Sequence, residues 1–154
     1  MIMKAGRRRA REFALQALYA ADVAGAGGAG ALSGLWSAQL DELGEPLEEP
    51  VGPEEIEFTT ELVRGVMDDR EAIDARIEAA SENWRLARMP VVDRNILRLG
   101  TWELTQRADI PTSVTINEAI ELAKRFGGAE SRAFVNGLLD RIAGELGRGS
   151  RRKK

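Results

Sequence analysis

Neither cysteine nor histidine occurs among the 154 residues. Their absence removes disulfides, thiol nucleophiles, imidazole bases and the usual zinc ligands together, so any catalysis would have to use carboxylates, hydroxyls, Lys or Arg. Aromatic residues are scarce too, at 5% against a hydrophobic content of 44%. A core must therefore be built mainly from Leu, Ala, Val and Ile, a composition that favours helices in a single domain of this length. No run approaches the roughly 18 apolar residues that a membrane span needs. Arg8 and Arg9 ahead of an apolar stretch have the look of a twin-arginine export signal. However, Glu12, Gln16 and Asp22 interrupt that stretch, and its apolar residues recur with helical periodicity. A cytoplasmic chain with no membrane contact is expected. Dinucleotide-binding and P-loop glycine patterns are also missing, because Gly25, Gly27, Gly28 and Gly30 follow a helical pattern rather than a strand.

Both ends of the chain lack acids. Residues 1–11 carry Lys4, Arg7, Arg8, Arg9 and Arg11, and residues 148–154 carry Arg148, Arg151, Arg152, Lys153 and Lys154. Setting these ten aside from 22 bases leaves 12 against 25 acids, so a formal net charge of −3 conceals a body near −13 between two basic ends. A polyanion would be repelled by most of that surface and accepted where the bases project.

Along the chain, Ala10, Phe13, Ala14, Ala17, Leu18 and Ala21 share one face of a first helix, with Arg8, Arg9, Gln16 and Tyr19 on the other. Guanidinium groups on that second face can grip phosphates, and an amide and a phenol can hydrogen-bond to or stack on unpaired bases. The alternative is a solvated helix start whose arginines only confer solubility. A Gly/Ala-rich stretch follows. Leu32, Leu35, Trp36, Leu40 and Leu43 then fit a second helix, and residues 41–57 hold eight acids and no base on a proline- and glycine-broken segment that reads as an exposed loop. Pro53 suits the first turn of a third helix. Phe58, Leu62, Val66, Met67, Ile73, Ile77 and Ala80 favour one long helix from there to Ala80, with a break near Asp68 and Asp69 as the alternative. Asp68, Asp69 and Asp74 lack the spacing of an EF-hand and read as surface acids. Trp84 reads as a lid on the core. Pro90 opens a helix with a broad apolar face, from Val91 to Leu104, that suits a strut buried from two sides.

Residues 111–140 form a helical hairpin in which Pro111 ends the preceding segment and Ser113 or Thr115 can cap the first helix. Gly127 and Gly128 stop that helix, while Lys124 and Arg125 complement its negative end. Glu130 and Ser131 open the second, whose stripe is Phe134, Val135, Leu138, Leu139 and Ile142. The strings INEAIELAKRFGG and FVNGLLD here closely resemble the NusB family of transcription antitermination factors. RRRAREFALQALY near the start and VVDRNILRLGTWELTQRADIPTSV in the middle extend the resemblance, which covers about the first 23 residues and roughly 89–141. Little of it falls between about 24 and 83.

The resemblance implies an all-α fold of about seven helices in two packed three-helix groups forming one domain, taken as residues 1–147 with a basic, disordered tail at 148–154. It implies a non-catalytic, RNA-binding role in transcription regulation without a cofactor or metal. Together with the ribosomal protein NusE, the chain would bind single-stranded boxA of nascent transcripts during ribosomal RNA transcription, within the RNA polymerase antitermination complex. On this basis Arg7, Arg8, Arg9, Arg11, Gln16 and Tyr19 are the RNA-binding candidates on the first helix, with Glu130, Ser131 and Phe134 expected beside Gln16 and Tyr19. Phe134 remains open between core and stacking residue. Asp93, Trp102 and Glu103 are the candidates for the partner surface. A homodimer would cover the arginine helix. Two other readings stand beside this one. A helical module of an RNA cytosine methyltransferase is opposed by the lack of a following α/β domain. A non-catalytic interaction or self-associating adaptor would make the arginines incidental.

Overall fold

In the computed structural model, the structure describes residues 4–25, 27–38, 50–82 and 84–148. They form seven α-helices and one short 3-10 turn, with no strand among the described residues: α1 (Lys4–Ala24), α2 (Gly28–Ala38), α3 (Pro53–Asp68), α4 (Arg70–Ser81), the 3-10 turn Leu86–Arg88, α5 (Val91–Gln106), α6 (Thr112–Phe126) and α7 (Ser131–Glu145). The protein is all-α. It divides into two compact units, Met1–Met67 and Asp68–Lys154. The expected groups of three helices are thus three helices in the first unit and four in the second. No helix among the described residues is long and apolar enough to cross a membrane.

In the first unit the apolar stripe of α1 is buried as its spacing predicts, from Ala10 through Ala21, and Leu15 joins it. Leu32 of α2 is buried, Phe13 and Trp36 meet edge to face with centroids 5.6 Å apart, and Leu40, Leu43 and loop residues 41–49 lie outside the described residues. Pro53 occupies the first position of α3, where its missing N–H costs nothing. Glu55 reaches back to accept the Gly52 N–H at 2.9 Å, which satisfies one of the donors a helix start leaves open. Phe58, Leu62 and Val66 are buried beneath it.

Of the two readings of residues 53–80, the structure shows the break near Asp68 and Asp69 and not one long helix to Ala80. Asp69 leaves helical geometry at φ −104°, ψ 16°, and a new helix starts at Arg70. Two adjacent acids at the negative end of α3 are unfavourable to the helix dipole, and Asp is a weak helix former, so the apolar period survives the interruption while the backbone does not.

In the second unit α5 is the strut. Its residues from Asn95 to Leu104 are all buried, and α4, α6 and α7 pack on it. Gly100 lets α7 come close: a Cβ there would lie 2.7 Å from Leu139 Cδ1. Arg98 is buried and holds Asp74 through two N–H donors at 2.8 and 3.0 Å, with Asn95 Oδ1 at 3.0 Å. Asp74 is accordingly a structural ion-pair partner rather than a solvated acid. Arg141 of α7 donates to Ala80 O and Glu82 Oε1 at 2.8 and 2.7 Å, closing the carbonyl end of α4. Arg148, assigned by sequence to the tail, donates to Leu104 O and Ile110 O, both at 2.8 Å, while residues 149–154 lie outside the described residues.

Candidate nucleic-acid interface

The arginines of α1 part company according to their place on the helix. Arg8 is exposed, and with exposed Gln16 and Tyr19 it follows a ridge of one residue per turn or two that continues to exposed Val23. Half-buried Glu12 lies on the same line. Arg11, expected among the RNA contacts, is instead 3% exposed, with its guanidinium carbon 5.5 Å from the centroid of the Phe58 ring. Arg7, one turn earlier, is half-buried at the same 5.5 Å from that ring. Arg9 sits 5.4 Å from the Phe13 ring and 3.4 Å from Glu55 Oε2. These positions are displaced from the exposed ridge because α3 packs its Thr59 against α1, with Thr59 Oγ1 3.3 Å from Ala10 O. The sequence therefore predicts one basic face, and the structure divides it into an outward Arg8 and arginines engaged with aromatic rings of α1 and α3.

The hairpin of the second unit is built on Ser131. Its Oγ accepts the Gly128 N–H at 2.9 Å and donates to Asp93 Oδ1 at 2.6 Å, and the side chain is 3% exposed. Ser131 is thus not a surface contact: it ties the turn before α7 to α5. Gly127 is required for the same reason, as a Cβ there would sit 2.5 Å from Ser131 Oγ. The caps expected from Ser113 and Thr115 are not used, since α6 starts at Thr112 without a side-chain cap. Thr115 donates inward to Glu103 Oε1 at 3.1 Å. What the hairpin leaves outside is Gly128, Ala129 and Glu130, followed one turn later by half-buried Phe134.

Asp93, Trp102 and Glu103 are 4%, 6% and 2% exposed, so none can itself touch a partner in this structure. The apolar face of α5 is wider than a single stripe, and polar residues inside it are buried by bonding to α6 and α7, as Glu103 does to Thr115 and Asp93 to Ser131. Spacing alone does not separate such residues from a solvated edge.

Sequence reasoning missed the surroundings of Phe134. Trp84 is no lid on a core: it is 41% exposed, and its ring meets Phe134 with centroids 4.7 Å apart at 54°. A lone aromatic between Asn83 and Arg85, outside any apolar period, was the available signal. No group of three or more His, Cys, Asp or Glu side chains that could hold a metal ion is present among the described residues.

A small helical protein with one polar ridge on its first helix and a serine-pinned hairpin near its end defines the class. The NusB family model matches residues 8–144, and the chain belongs to the NusB family. It is 53% identical over 137 residues to the transcription antitermination protein NusB of Myxococcus xanthus (strain DK1622), with 89% of this chain and 94% of that relative covered. Among solved structures it resembles a T. maritima NusB with a TM-score of 0.76 and 40% identity, covering 90% of this chain and 91% of the other. It also shares its fold, at a TM-score of 0.80 and 24% identity, with a chain from a crystal structure of the antitermination factors NusB and NusE in complex with double-stranded RNA, with coverage of 93% and 99%.

Proposed function

We propose that this chain is a non-catalytic, cytoplasmic RNA-binding factor of transcription antitermination. It binds single-stranded boxA of nascent ribosomal RNA transcripts together with NusE, and residues 1–147 act as one functional domain. The observation that carries the reading is the exposed ridge Arg8, Gln16 and Tyr19 on α1. It offers a phosphate-binding cation, an amide and a stacking ring at helical intervals, a combination suited to unpaired RNA and to no bond-making chemistry. Glu130, at the turn before α7, supplies a carboxylate acceptor for base amino groups. Family membership, and the antitermination role named for the M. xanthus relative, support the same reading. NusE enters as the partner by analogy with the solved NusB and NusE complex. The test is a titration of boxA RNA with the full chain, with and without NusE. Binding that strengthens when NusE is added, and that falls in Tyr19→Ala, is expected; affinity indifferent to both would sink the proposal.

A further inference from the structure

We propose that Trp84 is a base-stacking contact for single-stranded RNA and forms with Phe134 a two-ring platform on the second unit. The inference rests on the RNA-binding reading above. Of the three tryptophans, Trp102 is buried and Trp36 is half-buried with its ring near Phe13, which leaves Trp84 as the exposed indole.

Its backbone is held on both sides. Ser81 Oγ donates to Trp84 O at 2.6 Å, and the Leu86 N–H donates to Glu78 Oε2 at 2.9 Å. The last turn of α4 therefore fixes the segment that carries the ring, and the tilted contact with Phe134 limits the ring's own rotation. A ring ordered before binding loses little entropy when a base settles on it.

Charge around the pair favours a polyanion over a basic or apolar partner, and the exposed rings favour one that carries bases to stack over an acidic peptide. Arg85, next to Trp84 in the chain, and Arg88, four residues after it, are exposed, and Arg132 is exposed two residues before Phe134. Of the nearby acids, Glu82 is held by Arg141 and Glu78 by the Leu86 N–H; Glu130 stands one turn before Phe134 as an acceptor for base amino groups. Aromatic faces interleaved with arginines are the arrangement that binds single strands with little sequence preference.

The experiment titrates single-stranded boxA RNA, with and without NusE, with the full chain and its Trp84→Ala, Trp84→Leu and Trp84→Phe variants, with Arg8→Ala as reference. Trp84→Ala and Trp84→Leu should weaken binding roughly 5- to 100-fold and Trp84→Phe much less, since only the last keeps a π face. The dependence of affinity on salt should keep its slope in all three, because no phosphate contact is removed, whereas Arg8→Ala should flatten it. RNA should quench the tryptophan fluorescence of the wild type more than that of Trp84→Phe. Unchanged affinity in Trp84→Ala overturns the stacking role alone. Equal losses in Phe and Leu variants with a lowered melting temperature make Trp84 a packing residue, and a loss seen only when NusE is present makes it a protein contact; either overturns the proposal. Failure of the wild type to bind RNA overturns the parent reading and this one with it.

Discussion

Arg8 and Arg11 are three positions apart on α1, yet they face different surroundings and should fail differently. Arg8→Ala removes an exposed cation, so melting should hardly move, and if it contacts a phosphate the log–log salt slope of RNA binding should fall by about 0.7. Arg11→Ala removes a buried stem and a guanidinium beside Phe58, which should cost about 1–3 kcal/mol of stability in chemical denaturation. A Phe58→Leu background separates the two parts of that cost. The ring contact is absent there, and any remaining loss on Arg11→Ala belongs to packing of the stem together with the guanidinium's other interactions. Buried Asp93 predicts a third outcome. Asp93→Ala strands the Ser131 hydroxyl, a loss of about 1–3 kcal/mol readable as a lower denaturation midpoint.

At the scale of elements, helix existence and type were legible because apolar residues recur at three- and four-residue steps through α1, α3 and α7, and burial follows those stripes apart from half-buried Met67 and Phe134. The break at Asp69 was legible only as the alternative to a continuous helix, since two adjacent acids marked it while Ile73 and Ile77 keep the period of Phe58, Leu62 and Val66 across it. The exposure of the candidate site residues was legible in part. Arg8, Gln16, Tyr19 and Glu130 are outside as expected, whereas Arg11, Ser131, Asp93 and Glu103 are polar residues whose partners come from other helices, and only three dimensions supply those partners. Helix spacing is testable through Gly100. A methyl group there meets Leu139 below van der Waals distance, so Gly100→Ala should destabilise by about 1–3 kcal/mol despite its better helix propensity. A smaller residue at position 139 should recover part of the loss in the double variant.

For the molecule as a whole, charge decides how RNA can be approached. A body near −13 opposes a phosphate backbone, so few phosphates are neutralised and the chain alone should bind boxA with a shallow salt dependence. Under the proposed function, NusE would add its own contacts, which makes the second set of interactions intramolecular and should steepen that slope as it raises affinity. Titrations at several salt concentrations, with and without NusE, read both quantities; equal slopes in the two series would mean that the partner adds no phosphate contact.

The turn between α6 and α7 carries a consequence in time. Gly128 is exposed at the surface, where a backbone amide ordinarily trades its hydrogen with water quickly, but its N–H is given to Ser131 Oγ, whose own hydrogen is given to Asp93 on α5. Exchange at Gly128 should then run slower than at the exposed amides beside it, because opening has to break a bond to a hydroxyl that Asp93 holds in place, a difference that amide hydrogen exchange reads directly.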